Sequence, residues 1–254
     1  MDRDETLAVD GLQRTVEFPP LRVHHFLLWT VVAAVWFTMS RHEFDDGQLH
    51  ASGDRAYVAA EHIGMKIVET LAITVCIIGL LGQRKGFRFP SQPGHWIALA
   101  IATFAVPTTF FGRMAEFFGN DWRRWSDDYI LPLLFAVWTV VFFLLAMRKP
   151  DTPSWRTVYF LLGLLLACMV TMALLWAFYS YLPSIDPAFT AVSMLSGIVL
   201  TVLAVTALIA MATDRLFLIR RDWGHWASVL SLFGMGTGMA CWAIALQLFA
   251  RLGG

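Results

Sequence analysis

Charge is scarce in this chain, and its positive charge never clusters. Only 15% of its 254 residues are Asp, Glu, Lys or Arg, the formal net charge is zero, and no basic run exceeds two residues. Nucleic-acid-binding faces and polybasic lipid-binding segments both need concentrated positive charge, so both are excluded. Cysteine is equally sparse. Cys76, Cys168 and Cys241 all fall inside apolar segments and none is spaced as C-x-x-C, so neither a zinc knuckle nor a redox motif is written here. A Walker loop, a G-x-S-x-G elbow and a dinucleotide fingerprint are all missing, and the polar loops are too short to fold into a catalytic domain. The last apolar segment has no lysine for a retinal Schiff base, and it lacks the histidine pair of zinc-dependent, hydrolase-like seven-span receptors. No histidine lies near the middle of a span, which excludes haem held between facing helices.

What is abundant is apolar sequence. A hydrophobic content of 57% and a mean hydropathy of +0.61 exceed what a soluble domain needs to fill its core, so the bilayer must act as part of the solvent. Residues 1–22 are acidic and polar (Asp2, Asp4, Glu5, Asp10, Glu17) and end near Pro19-Pro20, the composition of a disordered tail. The apolar run after it has no basic n-region before it and no small-residue cleavage site behind it, and reads as an uncleaved first span. The expectation for residues 23–254 is a single all-α membrane domain with seven transmembrane spans, at about 25–40, 57–82, 95–111, 129–147, 157–182, 187–213 and 225–250. Between the third and fourth, FFGRMAEFFGNDWRRWSDDY alternates aromatic and charged residues, as a segment at headgroup level does.

The placement of charge orients the bundle. The N-terminal tail and the loops after spans two, four and six carry twelve Lys and Arg; the opposite side carries six and most of the loop carboxylates. By the positive-inside rule the N-terminus is cytoplasmic and the C-terminus outside.

The second span alone takes several ionisable groups into a membrane-length apolar segment. Glu61, His62, Lys66 and Glu69 recur at helical spacing, with His62 to Lys66 at i,i+4 and Lys66 to Glu69 at i,i+3. Glu69 falls within ~5 Å of the expected bilayer midplane. A lipid-facing carboxylate there would cost at least a few kcal/mol, so it must face protein, pair with Lys66 or hold a proton. A proton, cation or ligand site is one reading of this set. The plainer one is a structural pair, with Glu61 and His62 interfacial and Lys66 snorkelling outward. The acidic loop bearing His42, Glu43, Asp45, Asp46 and His50 offers weak metal candidates, because no H-x-x-x-H spacing sets two ligands on one helical turn. No metal or other cofactor is implied.

One tripeptide recurs. Gly94-His95-Trp96 opens the third span and Gly224-His225-Trp226 the seventh, each after a basic loop, and a 130-residue offset also aligns the second span with the sixth. The pattern reads either as coincidence in a tryptophan-rich membrane protein or as an internal duplication, whose axis would lie along the membrane normal. Gly234, Gly236 and Gly238 in the seventh span would allow close helix contact. His24, His25, His95 and His225 all fall at the cytoplasmic ends of spans and read as interfacial.

The stretches F-P-P-L-R-V-H-H-F-L-L-W and P-S-Q-P-G-H-W resemble recurring segments of uncharacterised bacterial multi-spanning membrane proteins. That resemblance implies a bacterial inner-membrane location and no particular activity. The expected function is that of a non-catalytic membrane component whose second span contacts a partner, ion or lipid. The alternatives are a small transporter or channel using Glu69 and, last, an intramembrane enzyme. The partners implied are the lipid bilayer and another membrane protein or a second copy, with no nucleic acid.

Overall fold

The computed structural model describes residues 21–40, 55–119, 121–122, 126–148, 152–179, 186–219 and 221–233. Every regular element among them is helical: α1 (Val23–Met39), α2 (Arg55–Gln83), α3 (Pro93–Phe118), a π-helical turn (Ser126–Ile130), α4 (Leu131–Met147), α5 (Pro153–Tyr179) and α6 (Asp186–Leu216). A further helix, α7, is described over residues 223–233. Five helices, α2 to α6, are long and apolar enough to cross a membrane, and α1 is a shorter apolar helix. The rest of the expected seventh span, with Gly234, Gly236, Gly238 and Cys241, lies outside the described residues, as do residues 1–20 of the tail.

The helix ends differ from the expected spans in ways that have local causes. α1 begins at Val23, so His24 and His25 belong to its first turn. Its 17 residues rise ~26 Å, a little less than the hydrocarbon core. α3 does not stop at residue 111 but runs to Phe118, where Gly119 at φ 96° ends it in a conformation that an L side chain resists. The first part of the stretch expected to lie at headgroup level is therefore helix, held by an Arg113–Glu116 ion pair and by Arg113 over the Phe117 ring. Pro107 lies inside α3 without ending it. Thr108 Oγ1 donates to the carbonyls of Phe104 (3.0 Å) and Ala105 (2.9 Å), in the turn that the proline ring disturbs.

The helices pack through buried residues at helical spacing, most of them alanine: Val68, Ala72 and Val75 on α2; Ala98, Ala102 and Ala105 on α3; Leu203, Ala207 and Ala210 on α6. Trp138, Phe142, Trp155 and Val158 of α4 and α5 complete the buried centre. Leu195, Ile198, Val202, Val205 and Leu208 of α6 are exposed, an apolar surface suited to lipid. Trp138 Nε1 donates to Thr103 Oγ1 at 2.7 Å and so ties α4 to α3 through a part-buried polar contact.

Candidate functional site

Glu69 sits midway along α2, fourteen residues from either end. Its Oε2 accepts two hydrogen bonds, from Lys66 Nζ at 3.0 Å and from Trp36 Nε1 of α1 at 2.7 Å. Lys66 does not snorkel outward. Its side chain is 5% exposed and that of Glu69 13%. The reason is the i,i+3 spacing, which lets one helix carry both members of an ion pair and spare each of them an unpaired place in an apolar medium. A second indole, Trp29 Nε1, donates to Thr70 Oγ1 at 3.2 Å, so α1 is fastened to α2 at neighbouring positions by two tryptophans seven residues apart on one face. Glu61 and His62 belong to α2, but their side chains lie outside the described residues; His42, Glu43, Asp45, Asp46 and His50 lie outside them altogether.

A second polar centre forms where several helix ends meet. An α-helix leaves its first N–H groups without partners, and here histidines supply some of them. In α1 the N-cap N–H of Arg22 donates to His25 Nδ1 (3.1 Å), and in α3 the N-cap N–H of Gln92 donates to His95 Nδ1 (3.4 Å). The described start of α7 reverses the roles: Asp222 Oδ1 accepts the N–H of His225 at 2.8 Å, as an N-cap aspartate does. That leaves His225 Nδ1 free to accept the backbone N–H of Gly94 across the helix interface at 2.9 Å. His95 Nε2 in turn donates to Asp222 Oδ1 at 3.0 Å, and Asp222 N–H donates to Gln92 Oε1 at 3.2 Å.

The two recurring tripeptides thus face each other. Gly94 and His225 are so close that a Cβ on Gly94 would stand 2.3 Å from the His225 carbonyl oxygen. His95 and His225 stand at helix starts and are fully buried there. Their burial accompanies what they bind: His95 caps α3 and reaches Asp222, and His225 bridges to the backbone of Gly94. Trp96 packs at the edge of the core, Gly224 is buried, and the rings of Trp155 and Trp226 stand edge-on to His225, both at 5.0 Å.

The network extends to three residues that sequence reasoning passed over. Asp214, fully buried in the last turn of α6, accepts Trp155 Nε1 and Arg221 Nε, both at 2.9 Å, and Arg221 Nη2 at 3.3 Å. Arg221, one of the basic residues in the loop after the sixth span, has a 3% exposed side chain. His25 stacks on Trp223 at 5.6 Å and so brings α1 to the same place. Among the described residues, His225 Nε2 and Asp222 Oδ2 are buried without a partner, and no group of three His, Cys, Asp or Glu is placed to hold a metal. The sequence did carry one signal. The offset that aligns the tripeptides also aligns the two caps, Gln92 and Asp222.

The chain matches no family model, no curated protein and no solved structure. No activity therefore reaches it through likeness, and the two polar centres are the ground for any functional reading.

Proposed function

We propose that this chain is a non-catalytic, multi-pass component of a bacterial inner membrane, a seven-span bundle with a cytoplasmic N-terminus and an external C-terminus. Its role is contact with a partner, ion or lipid, without turnover. The observation that carries this reading is the engagement of Glu69: one carboxylate oxygen serves Lys66 and Trp36 together, so the charge is compensated and committed to holding α1 on α2. Two further observations support it. The starts of α1, α3, α5 and α7 and the last turn of α6 gather at one end, as alternating spans require. His95, the ring beside the buried carboxylate Asp222, has both nitrogens engaged: Nδ1 with the backbone N–H groups of Ser91 and Gln92, Nε2 with Asp222. Neither nitrogen is open to relieve a nucleophile of a proton.

The rival is a small secondary transporter or channel using Glu69, which has in its favour the residue's place halfway along α2 and the buried hydroxyls of Thr70 and Thr74 on the same helix. Proteoliposomes carrying a pH-sensitive dye separate the two. The proposed reading expects no proton or cation flux above protein-free vesicles under an imposed potential, and a less stable Glu69→Gln variant. A flux that Glu69→Gln abolishes would establish the transporter in its place.

A further inference from the structure

Between the start of α1 and the end of α2 lies a cavity of about 340 Å³, walled by Arg22, His24, His25 and Lys85 and, on its apolar side, by residues that include Leu28 and Leu81. Its volume falls in the ~300–1,000 Å³ range of small-molecule sites. None of its lining residues among those described is acidic. Arg22 and Lys85 are both exposed, one immediately before α1 and the other two residues beyond α2.

We infer that this cavity is a binding site for the phosphodiester headgroup of an anionic phospholipid. The chemistry of its walls selects the ligand. The Arg22 guanidinium presents a planar fork that matches phosphate oxygens, and Lys85 adds a compact positive charge to the same cavity. The first turn of α1, whose N–H groups give that helix its positive end, lies at the same place. A free phosphate would be satisfied by these groups alone. The apolar wall argues for a lipid, because Leu28 and Leu81 line the cavity and their chain neighbours Leu27 and Leu80, with Val31 one turn further along α1, are exposed apolar side chains available to an acyl chain. The site is built from residues more than sixty positions apart, so the lack of any polybasic run does not count against it. It rests on the membrane reading above and is independent of the role of Glu69.

The test uses the full chain purified in a neutral detergent, with phosphatidylglycerol, phosphatidylcholine or inorganic phosphate added and bound ligand counted by native mass spectrometry. Phosphatidylglycerol should be retained in preference to phosphatidylcholine, and inorganic phosphate should not displace it. Arg22→Gln and Lys85→Gln should each weaken retention about fivefold, the usual effect of one basic residue near an anionic lipid surface. Arg113→Gln, far along α3 from its His95 end, should change nothing. Equal retention of the two lipids, or undiminished retention in the double variant, would overturn the proposal. Displacement by inorganic phosphate at matched concentration would overturn the lipid assignment in favour of a soluble phosphate anion. Lys85→Gln alone alters only an exposed turn, so it decides the matter even if the double variant unfolds. Failure here leaves the reading of Glu69 intact, since that reading is judged by flux.

Discussion

His95 of α3 and Asp222 at the start of α7 meet at 3.0 Å although 127 residues separate them, and the same carboxylate oxygen caps the helix that follows it. One atom therefore does two things: it ends a run of unpaired N–H groups and joins two helices.

Asp222→Ala should remove both at once. Loss of the cap costs about 1 kcal/mol and the orphaned imidazole N–H about 1–3 kcal/mol, so a destabilisation of about 2–4 kcal/mol is expected. Cys76 and Cys168 are buried and free, so their labelling by a thiol-reactive fluorophore on heating, in a Cys241→Ser background, reads it directly. A variant that labels at the wild-type temperature would show that the contact contributes nothing.

Gly94→Ala sets a steric demand against a helix preference. Alanine normally favours a helix over glycine by ~1 kcal/mol, and at Gly64, where an added Cβ meets nothing within 4 Å, that gain should appear. At Gly94 the new methyl meets the backbone of His225, which cannot swing aside as a side chain would. The expected result is a net loss of about 1–3 kcal/mol, as for overpacking elsewhere. Equal effects at the two glycines in the same labelling assay would contradict the packing described.

Lys66→Met leaves Glu69 without its counter-charge in the middle of α2 and should cost about 3–5 kcal/mol. The double variant Lys66→Met, Glu69→Met should recover most of that loss, because two well-packed apolar side chains replace a pair whose desolvation was itself costly. A thermal-unfolding double-mutant cycle measures the coupling. Additive effects would mean that the two charges do not depend on each other.

Arg113→Gln breaks an ion pair whose two side chains are each about one-third exposed. Its effect on the labelling temperature should correspond to less than ~1 kcal/mol, as for other solvated pairs. A loss as large as that of Lys66→Met would mean that this end of α3 is far less solvated than its surface indicates.

The helices were legible because an apolar run long enough to span lipid has few other uses, and α2 to α6 follow those runs closely. Their ends were less so. Residues 112–118 continue α3 because the Arg113–Glu116 pair and the aromatic side chains suit a helix as well as a surface segment. Lys66 with Glu69 could be read from spacing alone, since both members lie on one turn of one helix. Trp36 could not, because nothing in sequence sets the rotation of α1 against α2. The helix-end network was hidden for a related reason. Gln92, Trp155, Asp214, Arg221 and Asp222 come from four separate stretches, and each is unremarkable where it stands. Arg221 in particular was indistinguishable from a solvated loop charge until Asp214 was found beside it.

The fastening of α1 to α2 bears on how the chain enters a bilayer. Trp29 and Trp36 carry indole N–H groups whose acceptors, Thr70 and Glu69, are synthesised more than thirty residues later. Until then α1 is a short apolar segment holding two indole donors, and its own Thr30 and Thr38 hydroxyls are turned back onto the helix, donating to the carbonyls of Phe26 and Ala34. α2 is in the opposite position, since it brings Lys66 as its own counter-ion and can cross as a neutral unit. The first two helices are thus complete only as a hairpin, and α1 acquires its rotational setting from a helix that emerges from the ribosome after it.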